Sequence, residues 1–255
     1  MLRPGRTLRI NYYCGDLTFE GRTEHVIERM ALSGTYEPRL FETLMNLVQP
    51  GDVCLDIGAN VGTWTIPLAH RVGTHGRVVA FEPCLGNCAQ LRRNCELNRG
   101  LASRIETLAL GFSSAPGRLY WRPLDDDAGA SGGNGRLVNE ARPGCRAVDV
   151  TTLDAWFPGS GLPRLDLVKI DVERMELEVV RGGQETLTRH KPRIVFETLP
   201  DRGNARHRAR TRELMELLRS LGYELFGLLP TGKRVPLTET PVSQESIALP
   251  AAEVA

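Results

Sequence analysis

Four features of this 255-residue chain have residue types and spacing suited to chemistry. The segment DIGANVG, Asp56 to Gly62, follows an apolar run and precedes TWTIPLA. Glu82 closes the run RVVAFE, 20 residues beyond Gly62. Asp171 and Glu173 stand together in LDLVKIDVE, and Glu197 ends PRIVFE. A glycine-bearing turn between a strand and a helix is where backbone meets a nucleotide-type cofactor. A dinucleotide turn needs G-x-G-x-x-G, but counting from Gly58 the later glycine positions hold Asn60 and Thr63. No Lys-Ser/Thr pair follows the glycines, so a P-loop is excluded as well.

Acids replace the phosphate-binding pattern. Asp56 at a strand end would repel a pyrophosphate and accept hydrogen bonds from an ammonium group. Glu82 takes the position of a carboxylate that grips both ribose hydroxyls. This combination fits S-adenosylmethionine (SAM), which has a sulfonium, an amino acid end and no phosphate. The bland alternative is that Gly58 and Gly62 only permit a tight turn. With SAM, Asn60 is expected at the amino acid end and Leu110 along the adenine. Tyr36 and Glu37 are expected to close over the cofactor from the N-terminal side.

Methyl transfer from such a cofactor requires in-line alignment and exclusion of water, and for a hydroxyl nucleophile also removal of a proton. Asp171 is the expected base or substrate-orienting group, with Glu173 supporting it. Asp171 could instead hold the cofactor's amine or cap the next helix. Glu176 either complements a helix dipole or pairs with an N-terminal arginine. Asp171 and Glu197 offer oxygen ligands of the kind Mg²⁺ takes, but two acids do not make a site, so no metal is assigned. Ser131, in the loop GASGGNG, is a polar group that could order over a substrate.

These groups need strands to hold them. VCLDI (53–57), RVVAFE (77–82), RIETLAL (104–110), LDLVKID (165–171) and PRIVFE (192–197) read as strands, with GRLYWR, CRAVDV, YELFGL and ESIAL as further ones. Trp64 to Val72, Asn87 to Leu97, Met175 to His190 and Thr211 to Leu221 read as helices, and Thr152 as a cap. Asn98 is expected to cap its own helix. Alternating strands and helices predict a mostly parallel sheet covered on both faces, with ligands beyond the strands' carboxyl ends. Residues 1–35 are expected to form an N-terminal extension with a hairpin, packed on a domain spanning 36–255. DRGNARHRARTR, 201–212, is expected to be a solvated basic loop before the last helix, since it lacks aromatics for stacking bases.

A hydrophobic fraction of 41% suits a single core, and a net charge of +1 gives no global field for nucleic acid. The N-terminus lacks an apolar leader and no apolar run reaches the roughly 20 residues of a spanning helix. A cytoplasmic location is therefore expected. Without CxxC pairs, the six cysteines are expected to be free, buried thiols.

GTYEP, PGDVCLDIGANVGTWT, VVAFEP, LRRNCELN, LALG, TTLDAW, LVKIDVERME and IVFE occur in order between Gly34 and Glu197. In these the chain resembles the FkbM family of SAM-dependent methyltransferases. The resemblance implies a seven-stranded, Rossmann-like class I methyltransferase fold. It also implies O-methylation of a hydroxylated small molecule: a sugar, a polyketide or a lipid-linked glycan. A nonenzymatic SAM-binding or partner-binding protein, and an RNA methyltransferase, are the alternatives. The family pattern reads KIDVEG-x-E, whereas here Arg174 follows Glu173. A glycine there allows positive φ or close backbone approach.

Overall fold

The computed structural model describes residues 5–13, 15–23, 25–33, 38–123, 135–198, 205–229, 231–238 and 245–254. Strands β1 (Thr7–Tyr12) and β2 (Leu17–Arg22) form an antiparallel hairpin, followed by helices α1 (Val26–Ser33) and α2 (Pro38–Met45). An alternating run comes next: β3 (Val53–Ile57), α3 (Thr65–Arg71), β4 (Arg77–Phe81), α4 (Leu85–Leu97) and β5 (Ile105–Leu108). Strands β6 (Gly111–Phe112), β7 (Gly117–Pro123), β8 (Gly135–Val138) and β9 (Arg146–Thr151) interrupt it. Then come α5 (Leu153–Trp156), β10 (Leu167–Ile170), α6 (Glu176–Arg181), α7 (Gln184–His190) and β11 (Arg193–Glu197). Helix α8 (Ala205–Ser220) and strands β12 (Tyr223–Leu228), β13 (Arg234–Pro236) and β14 (Glu245–Pro250) complete the chain.

The main sheet has the order β13-β12-β14-β11-β10-β3-β4-β5. Pairings from β11 to β5 are parallel, and β14 enters antiparallel between β11 and β12. The central strands VCLDI and LVKI are buried at every position, as strands covered on both faces must be. The seven expected strands are joined by an eighth, the short edge strand β13. Strands β6, β9, β7 and β8 form a separate four-stranded sheet.

Leu55, Phe81, Ile170 and Phe196 pack on one side with Phe112 and Leu153. Cys54, Val78 and Val195 pack on the other side with Trp64, Ile66 and the hairpin residues Leu17 and Phe19. The hairpin is also fastened by polar groups of α4. Glu20 N–H donates to Asn94 Oδ1 at 2.9 Å, and Asn94 Nδ2 donates to Val61 O at 2.9 Å. Asn98 accepts from Thr18 N–H at 2.9 Å and donates to Thr18 O at 2.7 Å. Its Nδ2 also reaches Asn94 O at 2.8 Å, so Asn98 both ends α4 and holds β2.

Two element boundaries correct the sequence expectation. The helix expected over Met175 to His190 breaks into α6 and α7 at Gly182–Gly183. A Cβ on Gly182 would lie 2.2 Å from Ser113 O, and one on Gly183 would lie 2.9 Å from Leu153 Cδ2. Asp154 then caps α7, accepting from Thr186 N–H at 2.8 Å and Glu185 N–H at 3.1 Å. Helix α8 begins at Ala205 rather than Thr211, because Arg210 is drawn onto Glu178 of α6 and the basic stretch continues the helix. Thr152 caps α5 as expected, accepting from Ala155 N–H at 3.0 Å. Cys54, Cys84, Cys88 and Cys95 are free and buried, and Cys145 is free and half-buried. No helix among the described residues is long and apolar enough to cross a membrane.

The break at Gly182 gives a direct test. Gly182→Ala should lower urea-unfolding stability by about 1–3 kcal/mol, since backbone oxygen blocks the new methyl. Gly100→Ala, with nothing within 4 Å of its Cβ, should leave stability unchanged or raise it by about 0.5 kcal/mol.

Candidate active site

The turn after β3 has left-handed backbone at alternate residues: Gly58 at φ 87°, Asn60 at 49° and Gly62 at 94°. Asparagine tolerates this region better than most residues, which suits it to the middle position. The turn's N–H groups are largely consumed internally. Gly58 and Ala59 donate to Phe81 O at 2.9 and 3.0 Å, and Gly62 donates to Ala59 O at 2.9 Å. Asn60 N–H donates to Glu82 Oε2 at 3.0 Å. A phosphate-binding turn would leave such donors free for the anion, so the bonding pattern supports the reading made from Asn60 and Thr63.

A Cβ on Gly58 would lie 1.8 Å from Asp171 O, so the turn rests directly on the backbone at the end of β10. Between them opens a cavity of about 340 Å³, beyond the carboxyl ends of β3, β4 and β10. Gly58, Asn60, Glu82, Leu110, Asp171 and Glu173 all line it. The structure therefore gathers these six expected residues around one space. Gly62 is not on the wall; its Cβ would meet Leu91 Cδ1 at 2.8 Å, so it serves the packing of α4. Glu37, Tyr36 and Ser131 lie outside the described residues.

Asp56, expected beside the ligand, lies instead beneath the turn and off the cavity wall. It is fully buried and accepts from Thr65 Oγ1 at 2.6 Å, tying β3 to the start of α3. Its Oδ1 has no hydrogen-bond partner among the described residues. Burial pushes its carboxyl up, with Lys169 and Thr65 opposing. Glu82 accepts from Cys84 N–H at 2.9 Å and Asn87 Nδ2 at 3.4 Å as well as from Asn60. Burial pushes its carboxyl up to about 7, against the pull of these bonds.

Lys169 is the functional group that sequence reasoning missed. It sits in the apolar strand LVKI, is buried, and donates from Nζ to Asp171 Oδ2 at 2.9 Å. Nζ also lies 5.4 Å from the Trp64 ring centroid, a cation–π distance. The signal was present: a lysine inside a four-residue buried strand is rarely buried unless something holds its charge. Glu245, which also lines the cavity, was missed because it comes from β14, where it is the register partner of Glu197. Glu197 lines the cavity too. Among the described residues no group of three or more Asp, Glu, His or Cys side chains is arranged to hold a metal ion.

The loop after β10 carries two left-handed residues in succession, Glu173 at φ 52° and Arg174 at φ 81°. The position where the family pattern has glycine thus does take positive φ. Burial raises the Glu173 carboxyl, Asp171 adds to the effect, and Arg174, Arg136 and Lys169 oppose it. Glu176 is neither a plain dipole partner nor an arginine partner. Its Oε1 accepts from Val172 and Arg174 N–H, both at 3.2 Å, and holds the loop's shape. Burial pushes its carboxyl up to about 7 from 4.5.

The residues present fit SAM. The cavity offers several carboxylates toward a cationic ligand, apolar and aromatic walls for a flat ring, and no spare anion cradle. Two outcomes follow from the loop. A carboxyl raised on folding adds stability below its unfolded pKa and loses it as pH rises through the folded one. Glu176→Gln keeps an acceptor for both N–H groups and removes the buried charge. Its stability relative to wild type should therefore grow by roughly 2 kcal/mol between pH 5 and pH 8; parallel pH profiles in urea unfolding would refute this role. Arg174→Gly should raise stability by about 1 kcal/mol by relieving left-handed backbone strain, measured as a higher melting temperature.

The sequence model of the methyltransferase FkbM domain matches residues 56–225. The AMB antimetabolite synthetase AmbE of Pseudomonas aeruginosa is 30% identical over 70% of this chain, which spans only 10% of that protein. The 2-O-methyltransferase NoeI of Sinorhizobium fredii is 28% identical, over 73% of this chain and 78% of its own length. The hexuronic acid methyltransferase AglP of Haloferax volcanii is 28% identical, over 59% of this chain and 58% of its own. With the family match running from Asp56 through β3, β10 and β11 into β12, the chain belongs to the FkbM family of SAM-dependent methyltransferases, and SAM is its cofactor.

Proposed function

We propose that the chain methylates a hydroxyl on a small metabolite such as a sugar, a polyketide or a lipid-linked glycan. The observation that carries this reading is Asp171: an oriented carboxylate in the same cavity as Glu82, at the strand end where substrate and cofactor would meet. The names of NoeI and AglP, a 2-O-methyltransferase and a hexuronic acid methyltransferase, support a sugar hydroxyl as one member of that class.

SAM supplies an electrophilic methyl group on a sulfonium. Glu82 accepts hydrogen bonds from the ribose hydroxyls through the lone pairs that Asn60 and Cys84 leave open. Asn60 contacts the amino acid end, and Leu110 lies against the adenine. Lys169 holds Asp171 in one orientation and balances its charge, so that the other carboxylate oxygen can take the acceptor's proton as the new bond forms. Glu173 supports Asp171 from the same wall. Trp64, Phe81 and Phe112 line the space and limit the water that could compete with the acceptor. The basic start of α8 gives little support to an RNA substrate, because Arg210 is already engaged by Glu178.

Calorimetry and labelled-methyl transfer across a panel of hydroxylated compounds test the reading. Wild type should bind SAM. Asp171→Asn should keep that affinity within about threefold and lose transfer by roughly 10²–10⁴-fold, as removal of a positioned base does. Failure of wild type to bind SAM, or full transfer by Asp171→Asn, would overturn it.

A further inference from the structure

A second group of like charges lies beside the cavity, and the reaction does not use it. In the ribbon of β7 and β8, Arg122 and Arg136 are direct cross-strand partners. Like charges placed directly opposite are destabilising, and opposite charges are the usual choice there. The neighbouring pair, Trp121 and Leu137, lines the cavity, so by strand alternation the arginines stand on the ribbon's other face. They are not solvated edge guards, for both are half-buried and Arg136 Nε is enclosed with no hydrogen-bond partner among the described residues.

Arg174 joins them from the loop after β10. Burial, then Arg122, then Arg174 push the Arg136 guanidinium below its ordinary range, and only Glu173 acts the other way. Arg174 also lines a small cleft with His207 and Arg210, and Glu197 is common to that cleft and the main cavity. Among the described residues none of Arg122, Arg136 and Arg174 has a side-chain ion-pair partner. An arginine fork with an enclosed, unused donor beside two more guanidiniums matches a planar or tetrahedral oxyanion.

The geometry points to an anion-binding site formed by Arg122, Arg136 and Arg174, which takes a carboxylate or phosphate group carried by the methyl acceptor. The site rests on the methyltransferase reading and narrows it to anionic acceptors. Glu173, on the cavity wall and within electrostatic reach of Arg136 and Arg174, marks where the two sites adjoin. The anionic group therefore binds outside the transfer cavity, at a distance from the hydroxyl that is methylated.

Arginine Nε–Hε resonances of the protein loaded with S-adenosylhomocysteine report on the site directly. Inorganic phosphate and glucuronate should each shift the Arg122 and Arg136 signals saturably, and glucose should not. The tighter of the two anions identifies the group. Arg122→Gln with Arg136→Gln should weaken that binding by about tenfold or more, while affinity for S-adenosylhomocysteine stays within twofold. No saturable shift with either anion, an equal response to glucose, or unchanged anion binding by the double variant would overturn the site. Failure of wild type to bind S-adenosylhomocysteine would instead remove the methyltransferase reading. Loss of folding cooperativity in the double variant would show that the arginines serve the fold, and would overturn the site as well.

Discussion

Everything at the site depends on the contact between Gly58 and the carbonyl of Asp171. Adjacent parallel strands set it up, with Ile57 opposite Ile170 at their carboxyl ends. The chain leaving β3 must then pass over the chain leaving β10. Any side chain at position 58 would collide with that carbonyl, and its backbone would also be strained at φ 87°. Once the crossing is made, the cofactor turn and the Asp171 carboxylate share one cavity at fixed separation. Positioning of this kind is what methyl transfer asks of the protein.

Polar groups far apart in sequence hold the crossing from outside. Asn94 joins Glu20 of the hairpin to Val61 of the turn, so the hairpin braces the cofactor loop as well as covering the sheet. Glu82 fixes Asn60, and Glu176 fixes the loop that begins at Asp171. Each is a buried carboxylate, and burial without full compensation costs stability. Glu82 and Glu176 both have carboxyls pushed up to about 7, which shows that compensation is incomplete. Stability is given up where the loops must be held in shapes that apolar packing alone does not specify.

Much of this was legible in the sequence because it depended on local pattern. Central strands announced themselves as short apolar runs, and Asp56, Glu82 and Asp171 could be placed at their ends by the rule for parallel sheets. What local pattern could not show was where a side chain points. A strand-end position alone points Asp56 at the ligand, but strand alternation and the hydroxyl of Thr65 turn it under the loop. Strand position alone reads Lys169 as core, and only the fold reveals Asp171 and Trp64 beside it. The split at Gly182 was hidden for a similar reason. Two glycines inside an amphipathic pattern look tolerable until Ser113 and Leu153 arrive from elsewhere in the chain.

The distribution of charge ties cofactor to acceptor. Glu82, Asp171, Glu173, Glu197 and Glu245 all line the cavity, and Lys169 is the one lysine or arginine on that wall among the described residues. An acidic interior favours a sulfonium over a neutral sulfide, which helps a cationic cofactor bind but works against releasing the methyl group. Lys169 moderates this by pairing with Asp171, leaving that carboxylate's charge partly balanced. An anionic acceptor entering such a cavity unaided would be repelled. Arginines set on the other face of the ribbon resolve the conflict, because they can hold the acceptor's charge outside while its hydroxyl reaches in. Arg174 belongs to this arrangement, at the cost of left-handed strain that a glycine would not bear. A side chain kept at a strained position is better explained by what its cation faces than by the turn it distorts.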